Sequence, residues 1–238
     1  MIETAHSLLP HQLAAINFSR TSSYFVCFAA RRIGMTLAFA EDGVETSGRA
    51  DSPENFTYVA PSEEGCREFM AYCSSIAVST GRGTGHVDVC KNPGRAEVLK
   101  MSFPSGRVIV ASPPEPDVFR GLFGRLVVDQ AAWVDRLDTM LKPVLALIAS
   151  GGGRLTLISN PPKDRTNPML AVTEQIRSLG APTLEGRFAL SDAIEGGLYK
   201  TICRLSGIDW TPERQREWLA NLRKVYGADA ERELDLIF

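Results

Sequence analysis

The sequence predicts an α/β fold in which helices cover a mostly parallel sheet. Three observations support this prediction. Short apolar segments rich in β-branched and aromatic residues recur along the 238-residue chain, and longer segments with helical spacing alternate with them. The first apolar segment also leads through a glycine-containing turn into a helix, as in nucleotide-binding α/β folds.

The elements follow from these patterns in chain order. Strands are predicted over residues 24–29, 56–60, 125–129, 154–159 and 184–190, and helices over residues 35–42, 63–75, 135–149 and 168–178. Between the second and third strands, residues 97–103 and 107–112 form a predicted hairpin, because Pro104, Ser105 and Gly106 make a favourable tight turn.

After the last strand the sequence becomes helical. Residues 211–226 form a predicted amphipathic helix, and Thr211 suits its N-cap. We therefore expect an α/β core over residues 1–190 and a small helical subdomain over residues 191–238.

Composition excludes several classes of protein. The chain has 44% hydrophobic and 23% charged residues and a net charge of −2, so it has no overall attraction to nucleic acid, and any contact with DNA must be local. The five cysteines include no CxxC pair. No apolar run approaches the ~20 residues needed to span a bilayer, so we expect a cytoplasmic protein without membrane contact.

The turn after the first strand is a candidate phosphate-binding loop. A strand, a glycine-containing turn and a helix N-terminus direct backbone N–H groups toward one point, which suits a polyphosphate. Met35 occupies the usual lysine position, and Arg31 is the loop cation that would replace its charge. An ordinary strand-to-helix connection is the alternative. The residues predicted to bind nucleotide here are Arg31, Arg32, Ile33, Gly34, Met35, Thr36 and Leu37.

Asp129 is the candidate magnesium residue. It ends a buried strand, which places its carboxylate at the edge of the sheet beside the phosphate loop, where it can hold Mg²⁺ through water. Thr36 stands where a loop hydroxyl would ligate the same ion. The alternative reading of Asp129 is a cap for the following helix.

Several segments together resemble the ATPase domain of tailed-phage large terminase subunits, in particular the Mu-like branch. That family has a loop that begins with an arginine, a P-N-G-S-x-I hairpin, an R-G element and a strand ending in D-E and two small residues. Here the matching segments are residues 31–36, 104–109 (PSGRVI) and 119–132 (FRGLFGRLVVDQAA), and residues 191–199 and 230–235 resemble its C-terminal segments.

The resemblance implies a P-loop NTPase fold of the RecA/ASCE type and assigns further roles. Gln12 would contact adenine through its amide, although a surface glutamine at a helix start is the alternative. Arg120, in the R-G element, would be an arginine finger that reaches a neighbouring subunit's ATP, and Arg125 is the alternative donor. The segment Ser159, Asn160 and Pro161 would be the coupling motif that senses the γ-phosphate.

Gln130 occupies the position of the catalytic glutamate in active terminases. An amide orients water but does not accept its proton, so the general-base contribution of ~10²- to 10⁴-fold should be mostly lost. The chain is then either a natural variant with slow turnover or an engineered trap for bound nucleotide.

The function implied is an ATP- and Mg²⁺-dependent motor that moves double-stranded DNA into a capsid. Its expected partners are the portal protein, the small terminase subunit and further copies of itself in a ring. The nuclease domain that follows in full-length relatives is expected to be absent. Two alternatives stay open: a nucleotide-binding module with impaired hydrolysis at Met35 and Gln130, and an α/β interaction protein that binds no ATP.

Overall fold

A computed structural model describes residues 8–51, 54–91, 94–115, 124–180 and 183–237. Its helices are α1 (Pro10–Thr21), α2 (Met35–Gly48), α3 (Glu63–Ser79), α4 (Leu137–Ala149), α5 (Pro168–Ser178), α6 (Leu190–Glu195), α7 (Leu198–Leu205), α8 (Pro212–Tyr226) and α9 (Ala230–Leu234). Its strands are β1 (Tyr24–Ala29), β2 (Asn55–Val59), β3 (Asp88–Cys90), β4 (Val98–Ser102), β5 (Val108–Ser112), β6 (Gly124–Asp129), β7 (Arg154–Ser159) and β8 (Thr183–Phe188).

The eight strands form one sheet in the order β3-β4-β5-β2-β6-β7-β1-β8. In this spatial order, each pair of neighbours from β5 through β2, β6, β7 and β1 to β8 is parallel. The pairs β3-β4 and β4-β5 are antiparallel. The prediction of a mostly parallel sheet flanked by helices is therefore confirmed, and so is the hairpin of β4 and β5. The sequence analysis did not identify the short elements β3, α6, α7 and α9.

The central strands explain why the core forms where it does. All six residues of β1 are buried, and β6 and β7 are buried except at their first residues. Strands covered on both faces read as continuous apolar runs, which is the pattern that these segments show. Because β1, β6 and β7 are neighbouring parallel strands, their carboxyl ends meet at one edge of the sheet.

The residues after β8 form four helices. Helix α9 contributes Ala230 and Leu234 to the core, whereas no residue of α8 is fully buried. Helix α8 packs through partly buried side chains such as Trp218 and Leu222. The division at residue 190 stays a prediction. Within the part of the chain that the structure describes, no helix has both the length and the apolar character needed to cross a membrane.

Candidate nucleotide site

A cavity of about 660 Å³ opens at the carboxyl edge of β1, β6 and β7. It collects most of the residues that the sequence singled out. The predicted site residues that line it are Arg31, Arg32, Ile33, Gly34, Met35, Thr36, Leu37, Asp129, Gln130, Ser159 and Asn160. Gln12 and Pro161 are not among its lining residues, but each contacts a neighbouring segment.

Side chains of helix α1 form hydrogen bonds to the predicted phosphate loop, residues 31–36. Gln12 is buried, and its Nε2 donates to the carbonyls of Ile33 (3.1 Å) and Gly34 (3.0 Å) while its Oε1 accepts from the Leu9 amide (2.8 Å). Gly34 has φ of +82°, and a Cβ there would lie 2.5 Å from the Gln12 Nε2 atom. Glycine is therefore required on two grounds, the left-handed backbone and the close approach of the amide.

Gln12 thus supports the loop in this conformation, because all three hydrogen bonds of its side-chain amide go to backbone groups. Its predicted contact with adenine stays a prediction. His11, the preceding residue, also bonds to the Ile33 carbonyl through Nε2 (2.9 Å), and burial lowers its pKa. Both side chains therefore stabilise the position of the loop relative to α1.

Thr36 and Asp129 meet at the floor of the cavity. The Thr36 hydroxyl donates to Asp129 Oδ2 (2.9 Å), and the Tyr58 hydroxyl donates to the same oxygen (2.6 Å). The backbone N–H of Gln130 donates to Asp129 Oδ1 (2.8 Å). Burial raises the pKa of Asp129, while the hydrogen bonds from Tyr58 and Thr36 act in the opposite direction. Among the described residues, the donors to this carboxylate are therefore all neutral.

The position that usually holds a lysine in such loops has no charged side chain in this structure. Met35 lines the cavity, but it is 6% exposed and belongs to the hydrophobic core, and its side chain supplies no charge. Arg31 lies at the cavity instead: its Nε donates to Glu233 Oε2 (2.9 Å), and its guanidinium lies 5.7 Å from the ring centre of Trp133. Arg32 is exposed and has a left-handed backbone with φ of +62°.

Gln130 adopts a left-handed conformation with φ of +53° and begins a short 3₁₀ turn over Ala131–Trp133. Non-glycine residues in this region are strained, and such strain concentrates at functional sites. The turn directs Gln130 to the cavity beside Asp129. Its side chain can orient a water molecule, but an amide has no basic atom to accept a proton.

The three residues of the predicted coupling motif contact three different segments. Ser159 Oγ accepts from the Ala132 amide (3.2 Å), and the buried Asn160 donates through Nδ2 to the carbonyls of Ala29 (3.1 Å) and Glu233 (3.4 Å). The carbonyl of Pro161 accepts from Arg232 Nη1 (2.9 Å). The motif therefore connects the turn after Asp129, the end of β1 and helix α9.

The two candidate arginine fingers have different outcomes. Arg120 lies outside the described residues, so its role stays a prediction. Arg125 was the wrong alternative: it is the second residue of β6, at the opposite edge of the sheet, its side chain is 2% exposed, and it pairs with the buried Asp42. A guanidinium engaged there cannot reach into a neighbouring subunit.

Several residues that line or support the site were not predicted from the sequence. Tyr58 is the second hydroxyl on Asp129, Trp133 and Glu233 flank Arg31, and Glu68 lines the cavity on the side of α3. The signal for Tyr58 was its place near the end of a predicted buried strand, where a hydroxyl must find a partner. Glu233 lies in the segment 230–235 that resembles a family segment, but that resemblance assigned no role to it.

Two curated proteins are similar to this chain in sequence. The chain is 31% identical over 210 residues to the Mu-like prophage FluMu protein gp28 of Haemophilus influenzae, covering 85% of this chain and 40% of that protein. It is 30% identical over 206 residues to the probable terminase large subunit gp28 of Escherichia phage Mu, covering 81% and 37%. The predicted resemblance to Mu-like large terminases is confirmed.

The terminase-like chain spans about two fifths of the length of these curated relatives. No protein-family model matches it. The fold is similar to the large terminase ATPase domain of Thermus phage P74-26, with a TM-score of 0.60 and 15% identity over 96% of this chain and 93% of that domain. It is also similar to a large terminase of a thermophilic bacteriophage solved with ATP-γ-S, with a TM-score of 0.62 and 12% identity over 96% and 52%.

Proposed function

We propose that this chain is the ATP-binding motor domain of a DNA-packaging terminase and that it binds Mg-ATP in the cavity at the carboxyl edge of the sheet. The observation that carries the proposal is the 2.9 Å bond between Thr36 and Asp129. It joins the hydroxyl at the start of the P-loop helix to the carboxylate at the end of β6. These two oxygen ligands approach the same point even though Met35 and Gln130 depart from the usual motor sequence.

The residues present fit a magnesium ion. Mg²⁺ keeps several waters and takes one or two protein oxygens together with substrate phosphates, so a hydroxyl and one carboxylate are sufficient. Within the described residues, no group of three or more His, Cys, Asp or Glu side chains is placed to hold a metal by itself. Thr36 and Asp129 would hold the ion, which would neutralise charge on the terminal phosphates.

Arg31 would supply the loop's positive charge, and the loop amides would receive the phosphates. The anion would lie at the N-terminus of α2, where the helix dipole favours negative charge. Ser159 and Asn160 line the opposite wall and would respond to the terminal phosphate. In the assembled motor, Arg120 would reach the ATP of the next subunit.

The binding step is tested by calorimetric titration of the chain with Mg-ATP, and with ATP in the presence of EDTA as the control. We expect saturable binding that weakens without the metal. No binding and no thermal stabilisation at millimolar Mg-ATP would refute the proposal and support the interaction protein that binds no ATP.

The wider function extends this proposal to partners. In the assembled motor, ATP hydrolysis would drive double-stranded DNA into a capsid, with a ring of copies docked on a portal protein and a small terminase subunit presenting the DNA. Packaging of double-stranded DNA in a reconstituted system, with and without Mg-ATP, tests this extension.

Gln130 favours a second candidate, a module that binds nucleotide but turns it over slowly, either by nature or by engineering. Restoring the carboxylate with Gln130→Glu should raise steady-state phosphate release by roughly 10²-fold in the assembled or DNA-stimulated motor. ATP affinity should change little, because a general base acts mainly in the transition state. If bound ATP is still not hydrolysed faster, the defect lies elsewhere, and Met35 is the next residue to change.

A further inference from the structure

Glu68 brings a second carboxylate to the cavity in which Asp129 lies. It belongs to α3 and lines that cavity, as Asp129 and Gln130 do. Burial is the main cause of the raised pKa of Asp129, and the negative charge of Glu68 raises that pKa further. The two carboxylates are therefore close enough to interact, although they come from different elements of the fold.

Aromatic packing fixes α3 relative to Asp129. Phe69, the residue after Glu68, is buried and stacks on Tyr58, with ring centres 3.7 Å apart and ring planes 3° apart. The Tyr58 hydroxyl in turn donates to Asp129 Oδ2 (2.6 Å). The backbone of α3 at Glu68 is thus tied to the carboxylate of Asp129 through two buried aromatic rings.

The Glu68 side chain is itself held at one oxygen. The hydroxyl of Tyr72, one turn later on α3, donates to Glu68 Oε1 (3.1 Å), and the partly buried Tyr72 ring packs against the core. Among the described residues, none donates a hydrogen bond to Glu68 Oε2, and the side chain is exposed. An oriented carboxylate with a free oxygen and access to water has the properties that a general base requires.

We propose that Glu68 accepts the proton of the attacking water when this chain hydrolyses ATP, in place of the catalytic glutamate whose position Gln130 occupies. This inference rests on the proposed nucleotide site and adds a catalytic residue to it. The amide of Gln130 can orient the water but has no basic atom. Orientation and proton transfer, which one glutamate would otherwise combine, are thus divided between Gln130 and Glu68.

The step needs only ATP and one water molecule. The water oxygen forms a bond to the terminal phosphorus, and the bond from that phosphorus to the bridging oxygen of the leaving ADP breaks. One proton of the water passes to Glu68 Oε2. Because the side chain is exposed, it then returns this proton to solvent and becomes a carboxylate again. The products are ADP and inorganic phosphate.

The test compares Glu68→Gln with Glu64→Gln, a matched change at an exposed residue one turn earlier on α3 that does not line the cavity. Phosphate release is measured at saturating Mg-ATP in the assembled or DNA-stimulated motor, and ATP affinity is measured by calorimetric titration. Glu68→Gln should lower kcat by about 10²-fold and change the affinity by less than about twofold, because a base acts in the transition state. Glu64→Gln should change neither value.

A second comparison separates a general base from a structural residue. In a Gln130→Glu background the restored carboxylate takes the proton, so Glu68→Gln should then lower kcat by less than about threefold. A structural role of Glu68 would not depend on residue 130. A loss of equal size in both backgrounds, or a loss of ATP affinity as large as the loss of kcat, would overturn the proposal.

The same measurements distinguish failure of this inference from failure of the proposed function. If the unmodified chain binds Mg-ATP and Glu68→Gln leaves its rate of phosphate release unchanged, Glu68 is not the base and the nucleotide site stands. Binding of Mg-ATP without any phosphate release from the unmodified motor would also overturn the inference, because no base is then at work. If no variant binds Mg-ATP, the proposed function itself is refuted.

Discussion

One buried aspartate lies near the carboxyl ends of the parallel strands and another lies near their amino ends, and the two have different chemical surroundings. At the carboxyl edge, Asp129 is 6% exposed and accepts hydrogen bonds from neutral groups. At the amino edge, Asp42 is 1% exposed and pairs with the guanidinium groups of Arg125 and Arg20. Among the residues that the structure describes, the first carboxylate has no cationic partner and the second has two.

The amino-edge cluster continues beyond this pair. Arg125, the second residue of β6, pairs in register with Arg154, the first residue of β7, and Glu54 lies near both arginines (3.6 Å and 2.9 Å). The charges at that edge thus compensate one another inside the protein. The comparison teaches that burial of a carboxylate alone does not indicate a metal site. A buried carboxylate that has only neutral partners is the better candidate for one, because an uncompensated buried charge is costly and a cation would relieve the cost.

The largest expected effect comes from breaking the pair at the amino edge. Arg125→Met leaves Asp42 buried without its most buried partner, so the free energy of unfolding should fall by about 3–5 kcal/mol. Urea denaturation measures this. The double variant Asp42→Asn with Arg125→Met should lose less than the two single variants added together, because the unpaired charge is gone. A single-variant loss below ~1 kcal/mol would contradict the assignment of this cluster as structural.

The opposite behaviour is expected of Asp129→Asn. Removing the charge removes a desolvation cost, so the free energy of unfolding without nucleotide should change little. The affinity for Mg-ATP should fall by about 10- to 100-fold, because Asp129 would orient the ion and its waters. Calorimetric titration and urea denaturation of the same sample give both values. Unchanged Mg-ATP affinity would show that the carboxyl edge is also purely structural.

Much of this contrast could be predicted from the sequence, because it depends on local patterns. The strand that ends at Asp129 and the turn that leads to Thr36 were both readable, and parallel neighbouring strands bring such ends together. The wrong alternative, Arg125, could have been rejected from the same pattern. It lies four positions before Asp129 in the strand, a distance of roughly 13 Å, which places it at the other edge.

The remaining site residues could not be predicted, because their contacts depend on packing between distant segments. Glu233 reaches Arg31 across 202 positions of the chain, and Gln12 supports Gly34 across 22. The resemblance assigned Gln12 to adenine. A sequence motif suggests a role for a residue, but it does not show which backbone groups that residue contacts when no nucleotide is bound. Tyr58 was placed in the correct strand, but its direction toward Asp129 follows from the twist and register of the sheet.

Two glycines extend the comparison of the edges to the backbone. Gly34 (φ +82°) lies at the carboxyl edge against Gln12, whereas Gly106 (φ +79°), in the turn before β5, has open space where a Cβ would lie, with no described atom beyond its chain neighbours within 4 Å. Gly106→Ala should cost only the left-handed strain, about 1 kcal/mol. Gly34→Ala should cost about 1–2 kcal/mol more, because it displaces the Gln12 amide from two buried carbonyls. It should also weaken Mg-ATP binding, whereas Gly106→Ala should not. Equal losses in urea denaturation would show that Gln12 does not support the loop.

The smallest expected effect concerns the pH dependence of stability at the carboxyl edge. Burial lowers the pKa of His11, so the folded protein binds a proton less readily than the unfolded chain does. Its contribution to stability is therefore fully present above the unfolded pKa of about 6.5 and is lost as pH falls through that value toward the lowered pKa. His11→Gln keeps a donor for the Ile33 carbonyl but does not titrate, so the unfolding free energy should depend less on pH in this window. His86→Gln is the control variant, because His86 is exposed and contacts Asp88 rather than the phosphate loop. If both variants keep the original slope in urea denaturation from pH 7 to pH 5, His11 does not contribute, and another group must account for any acid sensitivity of this edge.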